Sequence, residues 1–71
     1  MPEEKDWLKE ETIVATWHIS GNQAAVEAED YNFLRMTLGD MAREGDAHAA
    51  DLLRRWQERL GVVETQEGKR K

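Results

Sequence analysis

Apolar positions recur along this chain with two different periods, and the change of period divides it. From Tyr31 onward the spacing is helical: Tyr31, Leu34, Leu38, Met41 and Ala42 share one side, and Ala49, Leu52, Leu53, Trp56 and Leu60 form a second, uninterrupted stripe. The punctuation agrees. Asp30 or Asn32 can cap the first of these helices and Gly45 can stop it. Asp46 can cap the next, and Gly61 supplies the left-handed residue on which a helix ends, with Val62 able to fold back on Trp56. The pattern predicts two antiparallel helices, roughly 31–44 and 47–60. Asp51–Arg55 and Arg54–Glu58 stand at i,i+4 on the second, each pair worth about 0.2–0.5 kcal/mol.

Before Tyr31 the period is two. Residues 12–19 (TIVATWHI) are rich in β-branched and aromatic types, and Ile13, Ala15, Trp17 and Ile19 alternate onto one face. Gly21-Asn22 suits a two-residue hairpin turn, because its first position tolerates positive φ. With that turn Ile19 faces Ala24, Trp17 faces Val26 and Ala15 faces Ala28, so large inner residues meet smaller apolar ones. The expected fold class is α+β, an antiparallel β-hairpin at 12–29 covered by the two antiparallel helices. The alternative is a mostly α chain with one N-terminal strand and a long first helix over 23–44, since Ala24, Ala28, Tyr31, Leu38 and Ala42 also share a helical side. Ala25 and Val26 fall off that stripe and favour the hairpin.

The two ends carry little apolar content. Residues 1–10 form a loose acidic arm with Trp7 and Leu8 as its anchors, and 64–71 are expected to be a disordered basic tail ending in Lys69, Arg70 and Lys71. Seventy-one residues make one small domain, 1–71, whose core is marginal because so short a chain buries only about 60% of its unfolded surface. The absence of cysteine removes disulfides and thiolate zinc sites, which leaves self-association as a reinforcement. Val14 on the outer strand face, with Phe33 and Met36 opposite the main stripe of their helix, are the expected homodimer contacts. The unpaired edges of a lone hairpin point the same way. Gly39 inside a helix costs about 1 kcal/mol relative to alanine unless the next helix or a second subunit approaches closely there.

Charge is distributed unevenly. Residues 1–34 carry two basic side chains against eight acidic ones, a formal −6, whereas 35–71 carry eight against seven, a formal +1. An acidic half repels phosphate backbones and attracts basic surfaces. Glu27, Glu29 and Asp30 are the expected partner-binding acidic face. The competing reading is a DNA-associated transcriptional regulator, with a helix-turn-helix-like unit at 31–60 and Arg54, Arg55, Arg59, Lys69, Arg70 and Lys71 meeting phosphates. Two acids among the outward positions of its second helix, Asp51 and Glu58, argue against nucleic acid.

Catalytic and metal chemistry find little footing. Ser20 is the only serine and His18 stands two residues before it, with no strained elbow or oxyanion loop beside them. Asp46, His48 and Asp51 could present ligands to a divalent ion, yet capping and ion pairing already account for both aspartates, and no HExxH spacing exists. The five glycines, at 21, 39, 45, 61 and 68, form no phosphate loop. No cofactor is expected. No run approaches the roughly 18 apolar residues of a membrane span, and the first residues lack the apolar stretch of a secretory signal, so the expected setting is cytoplasmic. The expected function is that of a small non-enzymatic protein-binding module, an adaptor, inhibitor or regulator, which docks an acidic face on a basic partner and self-associates.

Overall fold

A computed structural model of the chain describes residues 5–62. Four helices make up the fold of these residues: α1 (Trp7–Thr16), α2 (Asn22–Glu27), α3 (Tyr31–Arg43) and α4 (Ala47–Leu60). No strand occurs among the described residues, so the expected α+β class is wrong, and so is the alternative with an N-terminal strand and one long helix. The supposed first strand lies mostly within α1, and the supposed second strand is α2. Residues 7–10, read as part of a loose arm, are the first turn of α1. The expected tail at 64–71 lies outside the described residues.

The physical reason for the hairpin error lies in Thr12 and Thr16. With Leu8 they form an i, i+4, i+8 row, and all three are buried. A buried threonine in a helix satisfies its hydroxyl by bonding back one turn: Thr12 Oγ1 donates to the Leu8 carbonyl at 2.8 Å, and Thr16 Oγ1 to the Thr12 carbonyl at 2.7 Å. The inward face of α1 is therefore half polar, which hides its helical period. Its start is an ordinary one, with the Asp6 side chain accepting from the Lys9 amide at 3.4 Å. Gly21 does adopt positive φ, at 78°, but it opens α2 where a hairpin turn was expected. Asn22 after it is buried and ties the two helices, donating from Nδ2 to Thr16 Oγ1 at 3.1 Å and to the Ile13 carbonyl at 3.2 Å.

The long helix over 23–44 is broken by a sharp joint. At the end of α2 the Glu29 amide donates to the Val26 carbonyl at 3.0 Å, and the Asp30 amide to the Ala25 carbonyl at 2.9 Å. That is a Schellman end, and it places Glu29 in the left-handed region at φ 57°. Asp30 then caps α3, accepting from the Phe33 amide at 3.2 Å. The same device recurs at Gly45 (φ 107°), where the Gly45 and Asp46 amides reach Ala42 and Met41 and Asp46 caps α4 through the Ala49 amide at 3.1 Å. α4 closes the same way: Val62 N–H donates to Gln57 at 2.9 Å with Gly61 at φ 73°. α3 and α4 occupy the spans that the apolar spacing predicts, within a residue.

Gln57 Nε2 donates to the Tyr31 hydroxyl at 3.3 Å, which sets the last turn of α4 beside the first turn of α3. That contact and the short joint at Glu44–Asp46 make α3 and α4 an antiparallel pair. α4 also packs on α1, and α2 bridges α1 and α3. Between them lie Leu8, Val26, Leu34, Leu38, Ala49, Leu52 and Trp56, with Ile13, Phe33, Met41, Leu53 and Leu60 against their edge. Trp56 is the largest buried side chain, and its indole N–H donates to Thr12 Oγ1 at 2.8 Å. No helix among the described residues is long and apolar enough to cross a membrane.

Candidate functional site

Because α1 turns Thr12 and Thr16 inward beside Leu8, several large side chains along it face out. Trp7, Val14 and Trp17 are 53%, 69% and 72% exposed, in a chain where Met36 is the one other exposed large apolar residue among those described. At 100° per residue these three share a side with Glu10, so one acidic group stands among the apolar ones along it. Val14 and Glu10 of this row also line an open groove of about 420 Å³ between α1 and α2, completed by Asp6, Lys9, Ile13, Gln23 and Glu27. Ile13 and Val14 give the groove apolar walls, and Glu10 and Glu27 give it an acidic rim.

The cations near this groove are already engaged. Lys9 reaches Glu29 at 3.4 Å and donates to the Glu27 carbonyl at 3.5 Å. At one end Arg59 grips Asp6 with two hydrogen bonds of 2.8 and 2.6 Å, and it lies 3.6 Å from Glu29. The Arg59 hydrogen bonds hold the Asp6 carboxyl below its ordinary value, and the same bonds raise Arg59. Glu27 has Gln23 Nε2 at 3.3 Å, a neutral neighbour, and Glu10 has the highly exposed Lys5 at 3.4 Å. The groove's own titratable lining, three carboxylates against one amine, therefore stays net negative.

The three residues of the expected acidic face separate. Glu27 is on the groove rim, whereas Glu29 is drawn into the Lys9 and Arg59 ion pairs and Asp30 is consumed as a helix cap. The expected self-association residues separate as well: Phe33 packs against the core, Val14 lines the groove and Met36 is exposed on α3. The strand edges that argued for a homodimer do not exist in this fold. Glu10 was overlooked, and so was the groove role of Ile13, Val14 and Gln23. Reading 7–17 with a period of 3.6 finds the first of these at once, since Glu10, Val14 and Trp17 stand at i, i+4 and i+7.

The arginines of the nucleic-acid reading are held by carboxylates. Arg54 meets Asp51 at 2.7 Å and Glu58 at 3.4 Å, Arg55 meets Asp51 at 2.9 Å, and Arg59 holds Asp6. Hydrogen bonds from Arg55 and then Arg54 lower Asp51. Arg55 also stacks over the exposed Trp7 ring, 5.2 Å from its centroid. Lys69, Arg70 and Lys71 lie outside the described residues.

Asp46, His48 and Asp51 do not converge. Asp46 caps α4, Asp51 faces two arginines, and His48 Nε2 sits 3.1 Å from Glu11 Oε1 of α1. Among the described residues no three His, Cys, Asp or Glu side chains gather as a metal site requires. His18 and Ser20 are both exposed in the turn between α1 and α2. Comparison with family models, curated proteins and solved structures gave no match for this chain.

Proposed function

We propose that this chain is a small non-enzymatic binding module, an adaptor, inhibitor or regulator of the cytoplasm, which docks its α1–α2 groove on a cationic, partly apolar segment of a protein partner. One observation carries the reading. α1 spends much of its buried face on Thr12 and Thr16 and turns Trp7, Val14 and Trp17 outward, and Val14 among them lines an acidic groove. Exposed tryptophans along the helix that walls a concave, charged groove are features from which interface hot spots are built. A lysine or arginine fits such a place, laying its alkyl stem on Ile13 and Val14 and its charge between Glu10 and Glu27.

Fluorescence anisotropy with a dye-labelled amphipathic peptide of lysine and leucine tests the proposal. Exposed charge pairs contribute about 0.2–1 kcal/mol each, so E10Q/E27Q is expected to weaken binding by about twofold to thirtyfold at low salt. Raising the salt to about 1 M, where the screening length is about 3 Å, should remove that difference. W17A is expected to weaken binding at both ionic strengths, about tenfold. Equal affinity of all three proteins for the peptide would refute the groove as the docking site.

A further inference from the structure

We infer that the partner segment is an α-helix, laid along α1 with its apolar seam on Trp7, Val14 and Trp17 and one basic side chain at its flank against Glu27. This rests on the docking reading above and names the shape of its partner. Spacing supplies the first argument. Trp7, Glu10, Val14 and Trp17 follow one another at intervals of three, four and three residues, the a and d spacing by which two helices pack side by side. Trp17 keeps helical backbone angles, φ −58° and ψ −24°, so the row stays in step past the last residue of α1. The row lies on the side of α1 away from the buried Leu8, Thr12 and Thr16, and its three apolar members are exposed. From 7 to 17 it is about 15 Å long at 1.5 Å per residue. Arg55, stacked over the Trp7 ring at 5.2 Å, holds one end of it in place.

The main chain supplies the second. An extended partner gains its affinity by pairing with a sheet edge, and the described residues contain no strand. A helix brings its own backbone hydrogen bonds and leaves none stranded in the contact. The repeats agree, since rungs of a heptad seam recur about every 5.3 Å, whereas side chains on one face of a strand recur about every 6.7 Å. An extended segment would slip by about 4 Å over three rungs. Charge supplies the third. Asp6 is held by Arg59, Lys9 by Glu29, and Glu10, within the row, by Lys5 at 3.4 Å. Glu27 is left over: its carboxylate receives the neutral Gln23 amide at 3.3 Å, and Lys9 bonds its backbone carbonyl instead. Glu27 and Val14 line the same groove, so a lysine or arginine flanking the partner's rung over Val14 meets that carboxylate.

Three dye-labelled peptides of lysine and leucine separate the shapes. One carries leucine at positions a, d and e of each heptad, the second has the same leucines moved to alternate residues, and the third is the first with a central proline. Anisotropy with the full chain gives each Kd, and backbone amide shifts locate the contact. The heptad peptide is expected to bind at least about tenfold tighter than either of the others, with shift changes at Trp7, Val14, Trp17 and Glu27. E27Q should weaken it by up to about fivefold at low salt and leave it unchanged in about 1 M salt. Equal affinities for all three peptides, with shifts on the row, would overturn the helix and leave the docking function standing. Peptides that move neither row nor groove would sink both. Shift changes on the row that grow with protein concentration and no peptide present would give the seam to a second copy and overturn the assignment to a partner helix.

Discussion

Replacing Thr12 by valine tests the account of the core most directly, because the two side chains have nearly one shape and differ in a hydroxyl. Thr12 and Trp56 are both fully buried, and the indole N–H donates to the threonine Oγ1 at 2.8 Å. In T12V the N–H is left in an apolar interior without an acceptor, a loss of about 1–3 kcal/mol. The Leu8 carbonyl, which also accepts from Thr12 Oγ1, sits within α1. A chain of this length has a total stability of roughly 4–10 kcal/mol, so the change removes a large share of it. At about 4–8 °C per kcal/mol, a loss of about 2 kcal/mol lowers Tm by about 8–16 °C. Urea unfolding followed by helical circular dichroism gives the free energies. A double-mutant cycle with W56F isolates the bond, since phenylalanine has no N–H to strand. T12V should cost at least about 1 kcal/mol less in the W56F background than in the natural one. Equal costs in both backgrounds would show that the methyl and hydroxyl act only by filling space, and the argument for a polar inner face of α1 would fail.

Further outcomes follow from the joints and the ion pairs. Glu29 sits at φ 57°, where a side chain costs about 1–2 kcal/mol, so E29G should be more stable than E29A by about 1 kcal/mol in the same unfolding assay. Both variants lose the Lys9 and Arg59 pairs, which cancel in that comparison. A Cβ added at Gly39 meets nothing within 4 Å, so the close approach of the next helix expected from its sequence position is not made. G39A should raise stability by about 1 kcal/mol, and a loss on equilibrium unfolding would reveal a contact there. The Asp6 carboxyl is lowered by Arg59, so the stability it contributes is complete above its unfolded value near 3.8 and disappears as pH falls through the lower folded value. D6N keeps a capping side chain while losing the ion pair, and both partners are about one-third exposed. The variant should be less stable by about 0.5–1 kcal/mol near neutral pH and indistinguishable at strongly acidic pH; a gap that widened on acidification would contradict this sign.

The second half of the chain was legible because its signals were of one kind. Asp30, Asp46, Gly45 and Gly61 mark helix ends with the residue types those positions prefer, and the stripes of Leu34–Leu38 and Leu52–Trp56 are apolar throughout. The first half misled for two physical reasons. Thr12 and Thr16 are polar and β-branched yet buried, so propensity and periodicity both pointed to a strand while hydrogen bonds to the preceding turn made a helix. The end of α2 is a Schellman turn whose left-handed residue is Glu29, which carries no mark of a stop in the sequence. The functional surface inherited the error. Trp17, placed on the inner face of a hairpin, is 72% exposed on the outer side of the fold, while Val14, read as an outward contact, lines the groove.

Asp30 and Asp46 each finish one helix with their amide and start the next with their carboxylate. A joint in which one residue serves two neighbours has no spare length. Adding a single amino acid at either place would force that aspartate to abandon one duty, and the following helix would rotate by about 100° relative to the core. The stretch from Trp17 to Gly21 is different, being longer and exposed at Ser20, and no side chain of its own caps a helix: its Ile19-to-Thr16 and Asn22-to-Ile19 bonds are between backbone groups. Insertions, tags or grafted peptides should therefore be accepted at Ser20 and rejected between 29 and 30 or between 45 and 46.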